Sequence, residues 1–208
     1  MPDTVEVVYN DSTNKDGMAV TWDEEQAVAI DTSAPASYTV DGVLEDGTEI
    51  TATVEVAAVN LLENSSFEED DVSMWDVSYL TSDTSQTDIQ TKASDALSGE
   101  KAFHFWSETE VGFTVEQTVE GLSEGSYTAV TNIQGGDMGS DAEIYMYVIV
   151  DGETYTSDTI TLTGWVNWVE TTLADISVSE GGSVTVGMSV SGAAGGWGTI
   201  DDLLLYHQ

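Results

Sequence analysis

Apolar and polar residues alternate with period two along most of this 208-residue chain, and no stretch keeps up the period of an amphipathic helix. Successive side chains of a strand point to opposite faces, so this alternation predicts strands buried on one side and wet on the other. Val184, Val186, Met188 and Val190 alternate with Ser183, Thr185, Gly187 and Ser189, the cleanest instance. Early strands are predicted over residues 5–10, 18–22, 37–44 and 49–56. Glu45-Asp46-Gly47 joins the last two as a hairpin, with glycine supplying a positive φ. Later strands are predicted over residues 101–106, 111–119, 125–133, 142–150, 166–173, 183–190 and 199–206, with short ones near Phe67 and Trp75. From Ile144 to Val150 both faces are apolar or aromatic, so that outer face is either covered by a second layer or a ligand platform. The chain is therefore expected to be all-β.

The pattern changes near residue 58, which predicts a small module over residues 1–58 and a larger one over 59–208. Val20-Thr21-Trp22 and the entry Pro35-x-x-Tyr38-Thr39-Val40 resemble bacterial immunoglobulin-like modules, which implies a compact β-sandwich acting as a spacer. The larger module has the strand count of a jelly-roll sandwich.

Charge narrows the choice of partner. The chain has 39 acidic residues and three lysines (Lys15, Lys92, Lys101), a net charge of −36 spread over both modules. Such a surface repels nucleic acid, anionic membranes and polyuronates, and leaves a neutral ligand unpenalised. No apolar run approaches the roughly 18 residues that span a bilayer. Without cysteine there are no disulfides, thiol nucleophiles or thiolate metal sites. With only His104 and His207, a histidine zinc site cannot be assembled.

The motifs of the second module resemble a known family. It opens on Asn60-Leu61-Leu62-Glu63-Asn64-Ser65-Ser66-Phe67-Glu68 and closes on Gly195-Gly196-Trp197-Gly198-Thr199-Ile200-Asp201-Asp202, with Ser98-Gly99-Glu100-Lys101 between. In that order these resemble galactose-binding-like jelly-roll carbohydrate-binding modules. Phe103-His104-Phe105-Trp106, Ile133-Gln134-Gly135-Gly136-Asp137 and Gly164-Trp165-Val166-Asn167-Trp168 look more specifically like carbohydrate-binding module family 61. That family accompanies glycoside hydrolase family 53 endo-β-1,4-galactanases, so the resemblance implies a secreted, non-catalytic module that binds β-1,4-galactan. It also implies a monomer within a larger multimodular chain, located outside the cell. Such modules commonly hold a structural Ca²⁺ where the first and last strands meet. The matching residues are Glu68 and Asp201, with Asp202 as substitute and carbonyls from Ser98 and Lys101.

The chemistry of sugars selects residues independently. A pyranose offers apolar C–H faces and a ring of hydroxyls, so its site needs exposed aromatic planes beside amides or carboxylates. Trp197 sits among Gly195, Gly196 and Gly198 and is expected to be exposed in a loop before the last strand. Trp165 and Trp168 flank Asn167 and fall on opposite faces of a regular strand, which leaves one for the ligand. Trp106, His104, Gln134 and Asp137 are the remaining candidates, and Trp22 and Trp75 are expected in cores. Neither histidine lies in a nucleophile motif, and three lysines without arginine do not suit a uronate lyase. The competing expectation is a cell-surface adhesion or structural stalk.

Overall fold

The computed structural model describes residues 1–8, 14–30 and 36–208, which form two compact units, Met1–Ala58 and Val59–Gln208. Tyr9, Asn10 and Pro35, which enter the expectations above, lie outside the described residues. In the first unit β1 (Thr4–Val8), β2 (Asn14–Trp22), β3 (Ala36–Leu44) and β4 (Glu49–Val56) neighbour one another in chain order, all antiparallel. β2 pairs β1 over its first six residues and β3 over its last three, so one strand serves two ladders. Met18, Val40 and Leu44 are buried. The β3–β4 turn has Gly47 at φ +86°, the left-handed conformation expected of it. A five-residue helix, α1 (Glu24–Val28), follows β2; the Asp23 side chain caps it by accepting from the Gln26 N–H. It is too short to leave a periodic signal. Trp22 is half-buried rather than core: its ring lies over Gly42 and its Nε1–H donates to the Pro2 carbonyl at 2.7 Å.

The second unit is a sandwich of two five-stranded antiparallel sheets. One is ordered β11 (Glu153–Thr156), β10 (Glu143–Val150), β13 (Gly182–Gly192), β8 (Val111–Leu122), β5 (Asp76–Tyr79). The other is ordered β12 (Gly164–Val178), β9 (Gly125–Gly136), β14 (Trp197–His207), β7 (Lys101–Trp106), β6 (Thr87–Thr91). Alternation decides which face enters the core. Val184, Val186, Met188 and Val190 are fully buried, as are Ile144, Met146 and Val148 on the neighbouring strand. From the facing sheet come Ile133, Ile200, Phe103 and Phe105, and an aromatic run Trp75–Phe67–Phe103–Phe113–Phe105 links them at centroid distances of 5.2–5.7 Å. Trp75 is therefore core. Phe67 is buried too, but its backbone is a left-handed turn residue and not a strand.

The doubly apolar strand β10 is covered by its own side chains. The Tyr147 ring lies across Gly187, where a Cβ would come within 2.4 Å of it, and its hydroxyl donates to Glu116. Burial, with the Glu116 carboxylate beside it, raises the Tyr147 pKa far above the ordinary phenol value.

Candidate functional site

The site is built on the outer face of the β12-β9-β14-β7-β6 sheet. Ile200 pairs with Ile133 and Phe103, all of them core residues, so the residues alternating with them point outward. One outward row is Trp106–Trp197–Gly136, and the next is Asp88–His104–Thr199–Gln134. Cross-strand neighbours in register bring their Cβ atoms to about 5 Å, so Trp106 and Trp197 stand side by side. From β12 to β7 the face spans three interstrand spacings, about 14 Å, the reach of an oligosaccharide rather than one sugar ring.

Each indole reaches this face by a different local device. Trp106 ends β7 and is 47% exposed. Trp197 is not in a loop, as the surrounding glycines suggested, but opens β14 and is half-buried. Glycine acts here by giving the ring a floor: a Cβ on Gly136 would stand 3.2 Å from the Trp197 ring, so the indole lies on bare backbone. Its Nε1–H donates to Asp137 Oδ2 at 2.9 Å, and Asp137 itself takes the left-handed conformation at φ +57°. Trp165 rides on a bulge. Gly164 pairs with Gly135 and Val169 with Ile133, so four residues of β12 oppose Gln134 alone. Val166 adopts φ +61° within it, and Trp165 emerges 56% exposed, with Asn167 exposed and Trp168 half-buried. The bulge replaces the regular strand on which Trp165 and Trp168 were to alternate.

Gln134, expected at the sugar site, is buried beneath it. It is 1% exposed and its amide is used up within the protein: Nε2 donates to the Asp95 carbonyl and Thr199 Oγ1, and Oε1 accepts from the Val166 N–H. It braces the bulge and cannot serve as a sugar contact. His104 lies on the face with Nδ1 2.7 Å from Asp88 Oδ1. Asn167 Nδ2 donates to the Thr163 carbonyl at 3.3 Å.

Sequence reasoning picked out Ser98–Lys101 but missed the residues just before it, Lys92–Leu97, which lie against this sheet, and above all Asp95. Asp95 Oδ1 accepts from Trp165 Nε1 at 3.1 Å and from Ser94 Oγ, and Oδ2 accepts from Lys92 Nζ at 2.7 Å. Its carbonyl accepts from Thr199 Oγ1 at 2.8 Å as well as from Gln134. Burial pushes the Asp95 carboxyl up, but the hydrogen bonds from Lys92, Ser94 and Trp165 outweigh it and hold it below the usual carboxylate value. The one available signal was Lys92, one of three cations in a strongly acidic chain.

The candidate calcium residues converge on the far end of the same segment. Asp201 is fully buried; its Oδ2 accepts from the Leu97 and Ser98 N–H groups and its Oδ1 from the Asp202 N–H. Asp202 Oδ1 accepts from Ser98 Oγ. Glu68 Oε1 accepts from the Glu100 and Lys101 N–H groups, and Lys101 Nζ bonds the Glu68 carbonyl and Asp70. Burial raises the Asp201 pKa to about 6 despite the N–H groups around it, and no ion pair found among the described residues involves it. The donor type, hard carboxylate oxygen, is the one calcium prefers, although three N–H groups already meet the Asp201 carboxylate. The present arrangement is not a cage: Ser98 and Lys101 turn N–H groups, not carbonyls, to the carboxylates. Among the described residues no three acidic or histidine side chains could share an ion.

Solved structures of carbohydrate-binding modules share this sandwich. The structure of TmCBM61 in complex with β-1,4-galactotriose is 30% identical, with a TM-score of 0.65, covering 73% of this chain and 100% of that one. A structure from a study of promiscuous specificity in β-sandwich carbohydrate-binding modules covers 98% of this chain and 92% of its own, at 17% identity and a TM-score of 0.56. The enzymatically active domain of tailspike protein 4 from bacteriophage CBA120 shares the fold at 14% identity and a TM-score of 0.56, with 21% of that chain covered. Residues 1–48 match the model of the bacterial Ig-like domain, group 4. No curated protein sequence matches. The chain belongs to carbohydrate-binding module family 61.

Proposed function

We propose that this chain binds β-1,4-galactan without cleaving it, through the outer face that carries Trp106, Trp197 and Trp165. The observation that carries the reading is the placement of three indoles across one sheet, two in direct register and the third raised on a bulge. Indole planes cover sugar C–H faces, and His104, Asp137 and Lys92 ring them with groups that can meet hydroxyls. The net charge of −36 favours a neutral glycan over a uronate. The galactotriose bound to TmCBM61 supports galactan in particular. In this reading the chain delivers a secreted glycoside hydrolase, an endo-β-1,4-galactanase, to plant cell wall, and the immunoglobulin-like unit is a spacer. Affinity electrophoresis against galactan, xylan and polygalacturonate tests it. Retardation by galactan alone is expected; equal mobility in all gels, or release of reducing sugar, would overturn it.

We propose also that calcium ties Glu68 to Asp201, with Asp202 as substitute, at their junction with the segment Leu97–Lys101. The buried charge of Asp201 supports this. An ion that binds only the folded chain stabilises it by RT ln(1 + [L]/Kd), so millimolar Ca²⁺ should raise the melting temperature of chelator-treated protein. An unchanged melting curve, in protein shown by metal analysis to be calcium-free, would refute it.

A further inference from the structure

Asp95 stands where the glycan face meets the segment Lys92–Glu100, and it is bound from both sides. Its carboxylate receives the Trp165 indole N–H, the Lys92 ammonium and the Ser94 hydroxyl. Its carbonyl receives Thr199 from β14 and Gln134 from β9. Trp165 is 56% exposed, so more than half of its surface is free of packing, and the bulge that carries it is otherwise tied down by the Val166 N–H on Gln134 and by Asn167 on the Thr163 carbonyl. The Asp95 side chain is only 16% exposed and is itself fixed. An exposed aromatic ring binds a sugar well only if its orientation is settled before the sugar arrives, since ordering a free rotamer offsets part of the contact.

We infer that Asp95 is a positioning residue for glycan binding: its carboxylate holds the Trp165 indole upright, making this segment one wall of the site. The inference rests on the glycan reading above. Asp95→Ala removes the acceptor but leaves the carbonyl bonds. Asp95→Asn keeps an oxygen for the indole.

The test uses the full chain. The Trp165 indole N–H, identified in NMR spectra by its loss in Trp165→Ala, should exchange with solvent about tenfold faster in Asp95→Ala and at nearly the parent rate in Asp95→Asn. Asp95→Ala should weaken galactan binding about tenfold, and adding it to Trp165→Ala should cost nothing further, since the two act as one unit. Unchanged binding in Asp95→Ala, or losses that simply add, would overturn the inference. If Asp95→Ala fails to fold, Asp95→Asn decides, and a tenfold loss there contradicts it. A parent chain that binds no glycan overturns the functional reading and this role with it. An unprotected indole in a parent that does bind overturns the role alone.

Discussion

Trp165 and Trp197 share one face but are held there differently, so their substitution separates binding from folding. Trp165 is more than half exposed and bonds Asp95 through its N–H, whereas Trp197 is half-buried, lies on Gly136 and bonds Asp137. Losing an aromatic platform costs about 1–3 kcal/mol in stacking systems, ten- to hundredfold in affinity. Trp165→Ala should therefore lose that affinity with its melting temperature nearly unmoved. Trp197→Ala should lose both affinity and a few degrees of stability, which paired titration calorimetry and thermal scans would reveal. Asp201 makes a second residue-level prediction. Its folded pKa of about 6 lies above the ordinary 3.8, so the folded state holds its proton more tightly than the unfolded state. The resulting stabilisation is full below pH 4 and is lost as pH rises through 6. In calcium-free buffer with enough salt to screen the surface acids, the melting temperature should fall between pH 5 and 7, and Ca²⁺ should flatten the fall. A rise over that window would contradict the assignment.

Among the elements, regular strands were legible and interruptions were not. β7 runs from Lys101 to Trp106, as alternation predicts, and β4 from Glu49 to Val56. The short strands β6 and β11 lacked enough residues to show a period, and α1 is a single capped turn. The bulge in β12 escaped because nothing in Gly164-Trp165-Val166-Asn167-Trp168 marks a valine for positive φ; a β-branched residue is among the least suited to it. Asp95 escaped because its role comes from contacts with residues 134, 165 and 199, all distant in sequence. Val166 is 53% exposed, so Val166→Gly forfeits little packing and relieves about 1 kcal/mol or more of backbone strain; thermal scans should show a gain of a few degrees. Gly198→Ala should do the reverse, because its Cβ would stand 2.3 Å from the Gln134 carbonyl and 2.4 Å from the Phe105 ring. Overpacking of that kind costs about 1–3 kcal/mol.

For the molecule as a whole, charge sets the conditions under which everything else is observed. The three lysines pair with Glu45, Asp95 and Asp70, which leaves most of the 39 acids without a cation. Mutual repulsion favours expansion, and salt shortens its range from about 10 Å at 0.1 M to about 3 Å at 1 M. The melting temperature should climb steadily between dilute buffer and molar sodium chloride, and a flat profile would show the charge to be energetically idle. Binding of a neutral glycan should survive the same salt, since it draws on stacking and hydrogen bonds. Titration calorimetry of the full chain with β-1,4-galacto-oligosaccharide in molar salt is therefore the most direct measurement. Saturable binding is predicted, weakened ten- to hundredfold by Trp165→Ala in a protein that melts like its parent. No heat of binding in the folded parent, or the same affinity in Trp165→Ala, would contradict the assignment of this face.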